Sequence, residues 1–211
     1  MVDLALLSGA IDEGDREKTI QLTTEALGAG TSPQDIIAKG LQAGMALVGE
    51  KFSSGEYFLP DMLMAARAMK SALEVLKPAL GKSGIPTIGK VVIGTVEGDM
   101  HDIGKNVVAT FLSGNGFEVF DLGPNVSVDK FVAEVRERQA DIIGLSALLT
   151  TTMPMMSKVI KALEEAGLRN RVRVIVGGAP VTQDYAKYIG ADAYAHDGGK
   201  AVPVCKQLLG K

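Results

Sequence analysis

From Gly89 onward, five short apolar and β-branched runs alternate with amphipathic segments, and this alternation restricts the chain more than any other feature. The runs Val91–Val96, Glu118–Leu122, Ile142–Ser146, Val172–Val176 and Ala191–Ala195 read as strands. Their near-continuous apolar character predicts burial on both faces. Between them, Val107–Leu112, Val128–Gln139, Met155–Ala166 and Gln183–Ile189 carry helical spacing, and a closing helix covers Lys200–Leu209. Repeated strand–helix units predict a parallel, doubly wound α/β sheet with helices on both sides.

Before that region the period is helical. Leu4, Leu7 and Ile11 mark a first short helix, and Asp15 caps a second that runs to about Leu27. Ser32-Pro33-Gln34-Asp35 combines an N-cap, a proline at the first helical position and a carboxylate three residues after the cap. Ile36, Ile37, Leu41, Met45 and Val48 then line one face of a third helix, and Pro60 opens a fourth with Met62, Leu63, Ala66, Met69 and Leu73 on its stripe. Four helices with short connections predict an antiparallel bundle. Gly81–Gly89, rich in Gly, Pro and small polar residues, reads as a linker, giving a bundle at 1–85 and an α/β domain at 89–211.

Composition excludes several functions. No apolar run approaches the ~18–20 residues that span a bilayer, so no membrane partner is expected. The start, MVDLALLSGAIDEGD, lacks a basic n-region, so no signal peptide is expected either. Residues 1–88 hold 8 Lys/Arg against 11 Asp/Glu, and residues 89–211 hold 14 against 14. Neither half has the basic excess that nucleic acid requires. A lone cysteine, Cys205, makes no internal disulfide, which points to a reducing, cytoplasmic setting and to a buried, inert thiol.

In a doubly wound sheet, ligands bind beyond the carboxyl ends of the strands. The first strand is followed there by Glu97-Gly98-Asp99-Met100-His101-Asp102-Ile103-Gly104, and the third runs into Ser146-Ala147-Leu148-Leu149-Thr150-Thr151-Thr152. Gly177-Gly178 follows the fourth strand and His196-Asp197-Gly198 the fifth. His101 stands two residues from Asp99, a spacing that lets a carboxylate fix the imidazole tautomer for metal ligation. Taken by itself such a pair also reads as a hydrogen-bonded structural pair; three or four protein ligands for a zinc ion are not at hand, and a single histidine ligand makes sense when the metal arrives inside a macrocycle. Met153, Met155 and Met156 read as core filler.

Asp99-Met100-His101-Asp102-Ile103-Gly104 matches Asp-x-His-x-x-Gly, Ser146-Ala147-Leu148 matches its companion Ser-x-Leu, and Gly177-Gly178 supplies the third element. With Gly55-Glu56-Tyr57-Phe58-Leu59-Pro60 in the bundle, the chain resembles, over nearly its whole length, the corrinoid proteins of methyltransferase systems and the cobalamin-binding module of methionine synthase. The resemblance implies an N-terminal four-helix bundle followed by a five-stranded parallel Rossmann-like (flavodoxin-like) domain that binds cobalamin or a related corrinoid. It makes His101 the lower axial cobalt ligand, Asp99 its hydrogen-bond partner and Thr152 the end of a relay where the family has serine. Gly98, Met100, Asp102 and Gly104 complete the ligand loop. Ser146, Leu148 and Thr150 would line a slot for the cofactor's nucleotide tail. Gly177, Gly178 and Gly198 would let backbone approach that tail where a Cβ would intrude. The bundle would cap the corrin, with Phe58, Leu59, Met62 and Leu63 as an apolar lid. The implied function is carriage of a methyl group on cobalt between a substrate-specific methyltransferase and a second methyltransferase with a folate or thiol acceptor, served by a reductive activation protein. A cobalamin-dependent sensor, the cobalamin half of a carbon-skeleton mutase and a cofactor-free flavodoxin-like domain are the alternatives.

Overall fold

A computed structural model describes residues 3–80 and 87–211. They divide into two compact units, one running up to Thr87 together with Gly114–Gly116, the other holding Ile88–Ser113 and Phe117–Lys211. Most of the expected linker, residues 81–86, lies outside the described residues. Among the described residues no helix is long and apolar enough to cross a membrane.

The first unit is helical: α1 (Leu4–Asp12), α2 (Arg16–Gly28), α3 (Pro33–Asp35), a π-helical segment (Ile36–Leu41), α4 (Gln42–Ser54) and α5 (Leu59–Leu80). Both caps read from the sequence are formed, Asp15 accepting from the Lys18 N–H and Ser32 from the Asp35 N–H. The third helix is interrupted by the π segment, where it meets α1. An added Cβ at Gly40 would stand 2.6 Å from Leu7 Cδ2, and one at Gly44 would stand 2.6 Å from Ile11 Cβ. The widened turn bonds across five residues, as from the Gln42 N–H to the Ile37 carbonyl, and the Ser8 hydroxyl donates to the Gly40 oxygen at 2.9 Å.

The stripe expected on the fourth helix is rotated. In α5 the buried residues are Met62, Ala65, Ala68, Met69, Ala72, Leu76 and Leu80, while Leu63 is exposed. Small Ala65, Ala68 and Ala72 face a helix, α2, whose own buried side chains are Thr19, Thr23 and Ala26, which permits close approach. Met62 therefore belongs to the bundle core and not to a lid, whereas Phe58, Leu59 and Leu63 are exposed.

The second unit follows the order β1 (Lys90–Thr95), α6 (Ile103–Gly114), β2 (Glu118–Asp121), α7 (Val128–Arg138), β3 (Ile142–Ser146), α8 (Pro154–Glu165), β4 (Arg173–Gly177), α9 (Gln183–Tyr188), β5 (Ala193–Tyr194) and α10 (Gly198–Leu208). The sheet is parallel throughout, with spatial order β2-β1-β3-β4-β5. Right-handed crossovers put α6, which steps from β1 outward to β2, on one face and α7, α8 and α9, which step the other way, on the opposite face. There Val92, Ile143, Leu145, Val174 and Val176 pack with Phe131, Val135, Met156, Val159, Ile160 and Leu163. Each such side chain contributes about 1.5–3 kcal/mol by leaving water.

Two strands depart from the expectation of burial on both faces. β2 is an edge strand with only its middle residues partly buried. β5 shrinks to two residues because the Ala191 N–H turns back to the Ala186 carbonyl at the end of α9. Helix α6 begins at Ile103, four residues before the expected Val107. The direction of winding reverses between β1 and β3, parallel neighbours from which crossovers leave toward opposite edges of the sheet. Such a switch point opens a crevice beyond the strand ends.

Candidate functional site

The loops leaving β1 and β3 flank that crevice, and one carboxylate ties them together. Gly98, at φ +83°, turns the chain so that the Asp99 N–H returns to the Val96 carbonyl at 3.1 Å. Asp99 is fully buried. Its Oδ1 accepts from the His101 backbone N–H at 3.1 Å and lies 2.8 Å from His101 Nδ1. Its Oδ2 accepts from the Leu148 and Leu149 N–H groups at 2.8 and 3.1 Å and from the Thr152 hydroxyl at 2.8 Å. Burial alone would raise the Asp99 pKa. The hydrogen bonds from the Leu148 N–H, the His101 ring and backbone, and the Thr152 hydroxyl outweigh it and hold the carboxyl well below the usual range.

An ionised Asp99 can only accept, so the facing Nδ1 carries a proton, and in the neutral ring Nε2 then keeps its lone pair. The His101 side chain is 52% exposed, which leaves that second nitrogen available to a ligand. Its backbone is held as well, since buried Thr95 at the end of β1 donates through Oγ1 to the His101 carbonyl at 2.9 Å. Thr152 carries one hydroxyl hydrogen between two acceptors, Asp99 Oδ2 and the Leu149 carbonyl, 2.9 Å away. Its γ-methyl reaches toward Gly98, where an added Cβ would lie 3.6 Å from it, so the extra methyl of threonine fits without displacement.

The remaining residues singled out in the sequence are spread along the same rim. Met100 is exposed, and Asp102 accepts instead from the Asn106 side chain at 3.2 Å at the start of α6. Gly104 faces open space, with nothing within 4 Å of an added Cβ. Ser146 pairs with Gly177 in the β3–β4 register, and Leu148 and Thr150 are exposed. Packing inside the chain accounts for the three glycines. Added Cβ atoms would meet the Ala195 carbonyl oxygen at 2.8 Å for Gly177, the Ala147 carbonyl oxygen at 1.9 Å for Gly178 and the Phe111 ring at 2.6 Å for Gly198. These positions are glycine because the protein's own backbone and the α6–α10 contact occupy the space. His196 is exposed, with Nδ1 3.5 Å from Asp197 Oδ2.

Four contributors went unrecognised in the sequence: Thr95, Lys105, Asp121 and Asn125. The Lys105 side chain is fully buried in α6 and donates to Asp121 Oδ2 and Asn106 Oδ1, each at 2.6 Å. Asp121 ends β2 and also accepts from the Gly123 N–H at 2.9 Å. Asn125 accepts from the Gly98 N–H at 2.8 Å. A charged residue closing an apolar strand, as in Phe120-Asp121-Leu122, was the available signal.

Among the described residues no group of three or more His, Cys, Asp or Glu is arranged to hold a metal ion. A half-exposed imidazole with one nitrogen committed to a buried carboxylate supplies a single ligand. That donor set fits a metal whose other positions are filled by a ring, and it does not fit a free ion.

A family model described as B12 binding domain matches residues 89–206, and a second with the same description matches residues 4–77. Trimethylamine corrinoid protein 2 of Methanosarcina mazei is 45% identical over 208 residues, covering 98% of this chain and 95% of that protein. The chain belongs to the B12-binding family of corrinoid proteins. The crystal structure of a cobalamin-binding protein from Desulfitobacterium hafniense is similar to this corrinoid protein with a TM-score of 0.85 and 36% identity, covering 99% of each chain. The methanol:cobalamin methyltransferase complex of Methanosarcina barkeri contains a chain with a TM-score of 0.85 and 32% identity, covering 98% of this chain and 79% of that one.

Proposed function

We propose that the protein holds its corrinoid through His101 and carries a methyl group between a substrate-specific methyltransferase and a second methyltransferase whose acceptor is a folate or a thiol. The observation that carries this reading is the buried Asp99 carboxylate, which fixes the His101 ring and both crevice loops at once. When bound, the corrinoid supplies a cobalt centre able to accept and release a methyl group.

The chain's own residues do the rest. Asp99 keeps the imidazole proton on Nδ1, so Nε2 is the ligating atom. Thr152 donates to the other carboxylate oxygen and holds it charged. Gly98, Met100, Asp102 and Gly104 shape the ligand loop, and open space beside Gly104 leaves room for the ring. Ser146, Leu148, Thr150, Gly177, Gly178 and Gly198 mark the rim that would receive the nucleotide tail. The likeness to the trimethylamine corrinoid protein of Methanosarcina mazei supports a methylamine-type methyltransferase as the donor-side partner, and the likeness to a chain of the methanol:cobalamin methyltransferase complex of Methanosarcina barkeri supports direct association with a methyltransferase. A reductive activation protein completes the set.

The test is to incubate the protein anaerobically with cob(II)alamin, desalt it and record the electron paramagnetic resonance spectrum. Coupling to one axial imidazole nitrogen in the wild type, lost in His101→Ala, is the expected result. A colourless eluate, or the same coupling in the variant, refutes the assignment.

A further inference from the structure

Asn125 stands on the loop after β2, yet its bonds bracket Asp99. Its side-chain oxygen accepts from the Gly98 N–H at 2.8 Å, and its own N–H donates to the Asp99 carbonyl at 2.9 Å. The Glu97–Gly98 and Asp99–Met100 peptide groups, on either side of the Gly98–Asp99 linkage, are therefore both held by a single residue 26 positions downstream of Asp99. Its conformation is specific too. Asn125 has φ +53°, a left-handed geometry that asparagine, aspartate and glycine tolerate and most residues resist.

The loop that presents Asn125 is itself laid along the exit of β1. The Thr95 N–H donates to the Gly123 carbonyl at 3.0 Å, the Val126 N–H donates to the Thr95 carbonyl at 2.9 Å, and Val96 and Val126 form a parallel bridge. Its root is pinned by the ion pair of Asp121 with buried Lys105. The hydrogen bonds of Asn125 reach Gly98 and Asp99 and not His101, so its influence on the ring passes through Asp99.

We propose that Asn125 is a positioning residue that sets the geometry of the Asp99–His101 pair, and so the fraction of protein in which His101 is able to ligate; the inference rests on the function proposed above. Asn125→Gly is the sharpest probe, because glycine keeps the left-handed backbone and the N–H while deleting only the side-chain acceptor. Asn125→Asp is the conservative counterpart, since a carboxylate also accepts from the Gly98 N–H and tolerates the same φ.

Two readouts separate this inference from its foundation. The first is amide exchange by nuclear magnetic resonance on the cofactor-free protein, followed at the His101 N–H that donates to Asp99 Oδ1. Loss of one backbone-to-side-chain bond should speed that exchange about five-fold in Asn125→Gly. The second is the ratio of nitrogen-coupled to uncoupled cobalt signal after loading with cob(II)alamin, which should fall by a similar factor. Asn125→Asp should match the wild type in both. The inference is overturned if Asn125→Gly leaves both readouts unchanged, or if Asn125→Asp fails as Asn125→Gly does. A wild type without nitrogen coupling overturns the proposed function first, and this inference with it.

Discussion

Replacing Asp99 by asparagine tests the logic of the site with one atom. The carboxylate accepts on both oxygens: the His101 backbone and ring on Oδ1, and Leu148, Leu149 and Thr152 on Oδ2. A carboxamide has only one accepting end. Facing its oxygen to the trio of donors on the Oδ2 side satisfies more partners, and this turns its NH2 group toward His101. The amide then opposes the His101 N–H, donor against donor. It also offers a hydrogen to Nδ1, which drives the imidazole proton onto Nε2. The ligating lone pair is lost without any change in shape.

The loss of charge-assisted bonds to a buried group is worth about 1.5–3 kcal/mol. For a chain of this size that lowers the melting temperature by roughly 5–10 °C. Ligation should weaken about 10–100-fold, as expected when the partner of a ligating histidine is removed. Thermal unfolding of the cofactor-free protein and the nitrogen coupling of the cob(II)alamin form are the assays. The pH dependence fixes the sign. The folded-state pKa of Asp99 is depressed, so its stabilisation is complete above the ordinary aspartate range and declines as pH falls through that range toward the folded value. The gap in melting temperature between wild type and Asp99→Asn should therefore narrow below about pH 4. A gap that stays constant or widens on acidification, or a variant with wild-type stability and nitrogen coupling, refutes the reasoning.

Lys105 and Asp121 should respond unequally: Asp121→Ala strands a buried ammonium and costs about 3–5 kcal/mol in denaturant unfolding, whereas Lys105→Met leaves a partly exposed carboxylate in water and costs less than half as much. Gly104→Ala should preserve stability, since nothing lies within 4 Å of the new methyl, but reduce retention of cobalamin through desalting if the ring uses that space. Gly178→Ala should instead destabilise the second unit outright, with φ +119° and a Cβ placed 1.9 Å from the Ala147 carbonyl oxygen. Cys205, whose thiol burial pushes up to about 12, should have about one thiol in ten thousand ionised at pH 8 and react with a disulfide reagent only after unfolding. Stoichiometric labelling of the folded protein contradicts that burial.

What could be read in advance follows from how local the determining interactions are. The strands of the second unit were legible because runs such as Ile142–Ser146 have little choice once helices cover both faces, and β3 falls on the expected residues. Edge strand β2 was not distinguishable, because Val119 and Phe120 look the same to a sequence whether one face or both are covered. The π segment depends on Gly40 and Gly44 meeting Leu7 and Ile11 more than thirty residues earlier, and no local propensity encodes that meeting. Met62 and Leu63 are adjacent and equally apolar, so the buried face of α5 was decided by which neighbour offered small side chains.

The same division runs through the site. Asp99 and His101 are two residues apart and disclose themselves; Thr152 is 53 residues from Asp99 and was reachable only through a motif. Lys105 and Asn125 belong to residue types that water ordinarily satisfies, and a helix surface and a turn are their unremarkable homes. What makes them part of the site is that β1 and β2 are neighbours in a sheet where crossovers diverge at β1. That adjacency brings Asp121 to Lys105 and Asn125 to Gly98, so the imidazole at the rim is aimed by a lattice whose members span three loops. A half-exposed imidazole that is to hold one orientation needs such support, because its own two side-chain torsions are otherwise free to turn.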